Sequence, residues 1–335
     1  MSGDALQYTH RATRLKLSSF PGDIGGVSDP MIFPEIGYGY SAQFPLAAGA
    51  PPVAGPDQVN RQLFRGGLVL AVAPDLAISG VELEGYAICA VSPCRSLGFD
   101  GQATVKELAG GKREVTWTYT DAGGQRPRGL RVVQRSFDGQ NGDYVLYALR
   151  ITNQTSSSIT FTPGLFMDFD VSPEFFTNTG YTELAGQLMV TTTGDDVGRH
   201  FGTVVLDAPA GGRSYFFSPT EFIPEADVVA AIRGEITRPA MPDPDDVRLL
   251  QGGTTLKLGR NKSADVWVAV VAGDNRAQVV ENARAAIAEG TARQRAGNTF
   301  ATVTAGTPVR SLGRQARSTS TQQSSRICKR DCVPD

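Results

Sequence analysis

Tyr144 to Thr152 reads Tyr-Val-Leu-Tyr-Ala-Leu-Arg-Ile-Thr, and both of its alternate sets of residues are largely apolar. Side chains on a strand point to opposite faces in turn. Val145, Tyr147, Leu149 and Ile151 therefore share one face, and Tyr144, Leu146, Ala148 and Arg150 the other. A strand that is apolar on both faces must be covered on both, which places it inside a sandwich or between layers. Its neighbours carry the same signature. Glu114 to Thr120 alternates, is rich in β-branched and aromatic residues, and ends at the turn signal Asp121-Ala-Gly-Gly. Arg131 to Phe137 reads as the next strand. The polar turn at Asn153-Gln-Thr-Ser-Ser-Ser precedes Ile159 to Phe169, which is expected to return as an antiparallel partner. Leu188 to Thr193, Phe201 to Leu206, Ser214 to Phe217, Thr254 to Leu258 and Ala264 to Ala272 continue the series. Many short strands separated by turns specify an all-β fold, here a large antiparallel β-sandwich or its enlarged form, a super-sandwich.

One late helix is expected on the surface of a sheet. Asp274 is placed to cap it, Val280, Ala283 and Ile287 form one stripe, and Gly290 is placed to end it. Residues 20–60 are rich in turns, as at Pro51-Pro52 and Gly55-Pro56, and residues 236–246 combine three prolines with three acids, the composition of an exposed loop. The sandwich domain is expected over residues 1–302. Residues 303–335 form an extended basic tail in which Arg310, Arg314, Arg317, Arg326, Lys329 and Arg330 face only Asp331 and Asp335. So little apolar surface cannot offset the entropy of ordering, so the tail either stays disordered or orders along a partner.

The chain has 335 residues with 32 Lys and Arg against 34 Asp and Glu, a net charge of −2. That balance excludes a dedicated nucleic-acid binder, whose affinity needs an excess of cations. No apolar run reaches the roughly 20 residues of a membrane span, and the first ten residues hold no apolar signal core. With 2 His in the chain, a hydrolytic triad has His200 alone to draw on, and no serine stands in a strained elbow. Asp168 and Asp170, two apart on a strand, point to one face. They are candidate Ca²⁺ ligands, with Glu174, Asn178 and Glu183 as further oxygen donors. The plainer alternative is a solvated strand end. No other cofactor is expected. Trp117, Tyr119, Tyr215, Phe216, Phe217 and Trp267 are candidates for a sugar platform or, more simply, for the core.

The 4 cysteines fall in two local pairs, Cys89 with Cys94 and Cys328 with Cys332. Close, even pairing is the pattern of small disulfide loops and so of an oxidising compartment. Free thiols and a four-cysteine zinc site are the alternatives, although zinc ribbons favour two-residue knuckles.

Several segments together resemble a known module. In order they are Gly37-Tyr-Gly-Tyr-Ser-Ala-Gln-Phe-Pro45, Gln62-Leu-Phe-Arg-Gly-Gly-Leu-Val-Leu70, Tyr144 to Asn153, Gly164-Leu-Phe-Met-Asp-Phe-Asp-Val171, and Ala269-Val-Val-Ala-Gly-Asp-Asn275. This order is similar to a β-rich accessory module of exported bacterial proteins, found beside subtilisin-type peptidase domains. The resemblance spans residues 35 to 290. It implies an all-β sandwich, an extracytoplasmic setting in the periplasm or at the cell surface, and no activity of its own. The peptidase motifs are absent, so none of their residues is carried over.

The sequence therefore points first to a non-catalytic structural or interaction module, an accessory subunit with protein partners in a larger extracytoplasmic or membrane-associated assembly. The alternative is a carbohydrate-binding or mutarotase-like sugar-active sandwich, for which His200 and Glu183 are the one acid–base pairing on offer. A Ca²⁺-dependent adhesion module using Asp168 and Asp170 is the third reading.

Overall fold

The computed structural model describes residues 8–12, 15–19, 40–43, 65–74, 76–79, 98–108, 113–122, 127–169, 178–183, 188–193, 200–206, 213–218, 221, 223–297 and 299–300. Strands dominate, and every ladder between them is antiparallel. β1 (Tyr8–Ala12), β2 (Leu15–Ser19) and β3 (Tyr40–Gln43) form a small sheet of their own. They are followed by β4 (Arg65–Ala73), β5 (Leu76–Ser79), β6 (Gly98–Glu107), β7 (Arg113–Thr120), β8 (Leu130–Asp138) and β9 (Tyr144–Asn153). Next come β10 (Ile159–Phe169), β11 (Asn178–Glu183), β12 (Leu188–Thr193), β13 (His200–Val205), β14 (Ser214–Phe217) and the helix α1 (Glu225–Arg233). The chain then runs through β15 (Ala240–Asp245), β16 (Val247–Gly252), β17 (Leu256–Leu258), β18 (Ser263–Gly273) and the helix α2 (Arg276–Ala296).

The nine-stranded sheet has the order β15-β11-β12-β13-β18-β9-β8-β7-β6. The six-stranded sheet runs β14-β16-β10-β4-β5, with β17 also on β10. Alternation along the strands sorts the apolar residues into three cores. Tyr147, Leu149 and Ile151 of β9, Leu165, Met167 and Phe169 of β10, and Val268 and Val270 of β18 meet between the sheets. Phe166, Leu250 and Val69 face the other way, against Val228, Val229 and Ile232 of α1. Leu146 and Ala148 of β9 and Trp267 and Ala269 of β18 face α2 at Val279, Ala283 and Ala286. β9 is buried on both faces because one side meets the inter-sheet core and the other meets a helix, as its double apolar pattern requires. The all-β sandwich expected from the sequence is the fold.

Four details differ from expectation. β10 does not pair with β9, which is already bonded along its length by β8 and β18. The polar link after Asn153 instead carries the chain to the second sheet, where β10 pairs with β4 and β16. Asn153 fixes this crossover: its Oδ1 accepts from Thr155 N at 2.9 Å, and its Nδ2 donates to Ser157 O at 2.7 Å and Leu258 O at 3.2 Å. α1 was not expected. Pro224 before it and the left-handed Gly234 after it (φ 72°) are start and stop signals that the sequence does carry. In 236–246 two of the three prolines, Pro242 and Pro244, occupy an edge strand, β15, where a missing N–H does no harm and further pairing is blocked. Finally, α2 is capped by Asn275, whose side chain accepts from Gln278 N at 2.9 Å, and not by Asp274. It runs past Gly290 to Gly297 (φ 67°). Gly290 is buried beside Leu206 and Leu146, so the absent side chain serves close packing on the sheet.

Candidate functional site

Asp168 sits on the face of the six-stranded sheet that α1 covers, in the same alternate set as Phe166. Its partner across the rung is Arg248, and Oδ2 lies 3.4 Å from the Arg248 Nε, with both side chains buried. Asn178 donates from Nδ2 to Phe169 O at 3.0 Å, closing the end of β10. Asp170 and Glu174 lie outside the described residues, as do Cys89, Cys94, Cys328, Cys332 and the basic tail. Among the described residues, no group of three or more His, Cys, Asp or Glu is assembled as for a metal, and no helix is long and apolar enough to cross a membrane.

The strand register separates His200 from Glu183. Glu183 pairs with Leu188 at one end of the β11–β12 ladder, and Leu188 pairs with Val204. His200 opens β13 at the opposite end, opposite Thr192. Four residues of strand lie between the two levels, about 13 Å at the strand rise. Of the aromatic candidates, Tyr119, Phe216, Phe217 and Trp267 are buried. Phe216 belongs to the inter-sheet core and Phe217 to the core beneath α1, as their opposite faces dictate.

The polar chemistry that does converge lies on the outer face of the nine-stranded sheet, beside the second half of α2. Arg135 and Phe137 are two apart on β8 and share this face. The register aligns Arg135, Ala148 and Trp267 on one rung, and Arg150 with Asp265 on the next. Guanidinium groups and phenyl rings alternate here. Arg293 lies 4.5 Å from the Phe137 centroid, Arg135 lies 5.4 Å from Phe137 and 5.9 Å from Phe300, and Arg150 lies 4.2 Å from Phe300. Trp267 stacks on Phe137 with centroids 6.0 Å apart. Each arginine also has a carboxylate: Arg293 pairs with Glu289 at 2.8 Å, Arg135 with Glu114, and Arg150 with Asp265 through two bonds of 2.7 and 2.8 Å. Burial, and then the charge of Arg293, pull Arg135 below the usual guanidinium value.

Two hollows flank this ladder. In the first, about 460 Å³, the β8–β9 turn faces α2, and Gln140, Asn141, Tyr144, Glu289 and Arg293 lie around alanines of the helix. The small alanine side chains leave the groove open. Glu289 organises it: its Oε2 accepts from the Tyr144 hydroxyl at 2.7 Å and from Gln140 N at 3.0 Å, while Oε1 accepts from Arg293 Nε at 2.8 Å. Burial, the bond to Glu289 and the Glu289 charge push the Tyr144 hydroxyl up to about 12, so it stays a donor. The second hollow, about 410 Å³, lies between the end of α2 and β18, lined by Asp265, Trp267, Gln294, Gly297 and Thr299. Sequence reasoning missed both. The Glu289–Arg293 spacing of four and the Arg135–Phe137 spacing of two were visible, but their convergence depends on register.

No family model matches the chain, and no curated protein matches it. Among solved structures, a bacterial glucoamylase complexed with acarbose superposes with a TM-score of 0.53 over 87% of this chain at 8% identity, and this chain spans 35% of that one. A GH36 alpha-galactosidase, AgaB from Geobacillus stearothermophilus, gives 0.40 at 8% identity over 82% of this chain and 40% of its own. A putative aldose 1-epimerase from Escherichia coli K12 gives 0.41 at 12% identity over 79% and 98%. What the chain shares with the glucoamylase is the sandwich fold, spread over most of its own length and about a third of the other protein's.

Proposed function

We propose that this chain is a saccharide-binding β-sandwich module that works within a larger protein or assembly and acts by recognition and not by catalysis. The observation that carries this reading is the groove beside α2. It sets a carboxylate, a guanidinium, two side-chain amides and the edge of a buried tyrosine around one hollow. Sugar hydroxyls donate and accept at once, so they suit a mixed lining of this kind. The volume is within the roughly 300–1,000 Å³ of small-molecule sites. The fold supports the same reading, since the glucoamylase that shares it is complexed with acarbose. Recognition is preferred over mutarotation because the one pairing the sequence offered, His200 with Glu183, is spread over opposite ends of a ladder.

Calorimetry of the full chain with glucose, galactose, maltotriose and acarbose tests the proposal. At least one is expected to bind, and Asn141→Ala together with Gln140→Ala is expected to weaken it about tenfold, the loss of one or two hydrogen bonds. No binding by any of the four would overturn it. The setting we propose is an exported or membrane-associated assembly. The fold's occurrence as a third of a longer chain favours a module over a free-standing protein. Deleting residues 303–335 is expected to reduce recovery of partners in a pull-down, and undiminished recovery would remove the tail as an anchor.

A further inference from the structure

The β8–β9 turn that walls the groove carries a chemistry of its own. It reads Asp138-Gly-Gln-Asn-Gly-Asp-Tyr144, and Asn141 is the one asparagine of the chain that a glycine follows. In such a pair no side chain shields the glycine nitrogen from the asparagine side-chain carbonyl. Asn141 is exposed and Gly142 half-buried. The backbone N–H of Asn141 is engaged at the Tyr144 hydroxyl. Its side-chain amide makes no hydrogen bond among the described residues, and the Gly142 N–H has no acceptor there. Packing also requires the glycine: an added Cβ would lie 2.6 Å from Asn282 Oδ1, and Asn282 is buried and held by its bond to Ala272 O at 2.7 Å. The other end of the turn shows the opposite case. Asp138-Gly139 has the same sequence opportunity, but Asp138 is buried and the Gly139 N–H is committed to Tyr144 O at 2.9 Å. Elsewhere Asn153, Asn178 and Asn282 are buried and hydrogen-bonded, Asn275 caps α2, and the exposed Asn261 is followed by lysine.

We propose that Asn141 is a self-modifying site, converted by water alone to aspartate and isoaspartate. Solvent base removes the Gly142 N–H proton, and the nitrogen attacks Asn141 Cγ. The new C–N bond forms as the bond from Cγ to the amide nitrogen breaks, and ammonia leaves with a proton from solvent. The product is a five-membered succinimide. Water then adds to one of its two carbonyls and opens the ring. Attack at Cγ gives aspartate, and attack at the main-chain carbonyl gives isoaspartate, whose backbone is one atom longer. Either product sets a carboxylate where the amide stood, in the groove that Glu289 and Arg293 also line. A group that both donated and accepted becomes acceptor-only, and the groove gains negative charge. Resting on the saccharide reading above, this conversion lowers the affinity of the groove as the protein ages.

Peptide mapping by mass spectrometry of the full chain, aged in neutral and in alkaline buffer, tests the site. The peptide holding Asn141 is expected to gain the mass of amide-to-acid conversion at least tenfold faster than the peptide holding Asn261. The gain is expected to divide between aspartate and isoaspartate and to be faster in the alkaline buffer. Asn141→Gln, whose longer side chain closes a larger ring far more slowly, is expected to suppress it. An Asn141 that stays intact, or converts no faster than Asn261, overturns the proposal. Aspartate without isoaspartate overturns the succinimide route. The effect on recognition is read separately: whichever saccharide binds the fresh chain is expected to bind Asn141→Asp at least threefold more weakly. Equal affinity overturns that effect and leaves the modification standing. If no saccharide binds the fresh chain, the module reading falls, while the mass gain still decides the modification.

Discussion

Tyr144 joins three levels of the structure in one side chain: its ring packs in the core beneath α2, its hydroxyl donates to Glu289, and its backbone carbonyl accepts from Gly139 N at 2.9 Å to close the β8–β9 turn. In the unfolded chain its hydroxyl ionises near the ordinary value of 10.0, and in the folded protein near 12. Between those values the unfolded chain has released a proton that the folded protein keeps. The stability it confers is therefore complete below pH 10 and is lost as the pH climbs to about 12. Absorbance titration of phenolate is expected to show one of the 9 tyrosines ionising late, near pH 12, and Tyr144→Phe is expected to abolish that step. Gly252 makes a sharper steric case. It ends β16 where the chain passes the last turn of α1, and an added Cβ would fall on the Ile232 carbonyl oxygen. Since backbone is the obstacle, no rotamer change relieves it. Gly252→Ala is expected to cost about 2–3 kcal/mol, as overpacking does, measured as a lower urea midpoint at unchanged slope.

At the scale of elements, the strands were legible because their patterns are local. β7, β9, β13 and β18 fall within a residue or two of where alternation placed them. Their partners were not legible. Whether Ile159 to Phe169 returns beside β9 or crosses to another sheet depends on edges that are already occupied, and no local pattern records occupancy. α1 was overlooked because the nine residues between Pro224 and Gly234, six of them Ala, Val or Ile, read equally well as a strand. The end of α2 was misplaced because Gly290 carries two meanings, a stop signal and a close approach, and the packed sheet selects the second. The ladder that ties α2 to the sheet was invisible for the same reason as the pairing: its members come from three strands and a helix. Two expectations belong here. Asn275→Ala removes the bond to Gln278 N and is expected to cost about 1 kcal/mol in thermal or urea unfolding. A double-mutant cycle on Arg150→Ala and Phe300→Ala is expected to give a coupling of about 0.5–1 kcal/mol, the scale of an exposed cation–π contact. A coupling of zero would show that Phe300 does not hold that place.

For the whole molecule, two sheets bury one core between them and each carries a helix on its outer face, so β9, β10, β16 and β18 lie at the heart of a layered body. A buried bond from Thr203 Oγ1 to Gln251 Oε1, at 2.8 Å, crosses from one sheet to the other and fixes their relative position. Most of the interior is apolar and committed to packing, while balanced charge, amides and open hollows gather beside α2. That division of labour is the basis for proposing recognition at one face of a rigid support. The most direct test is an amide chemical-shift map of the isotope-labelled chain titrated with whichever of maltotriose, acarbose, glucose or galactose binds. The shifts are expected to cluster in residues 135–150 and 285–300 and to leave β11 to β13 unmoved. Shifts centred on β11 to β13 or on the α1 face, or none with any of the four, would contradict it.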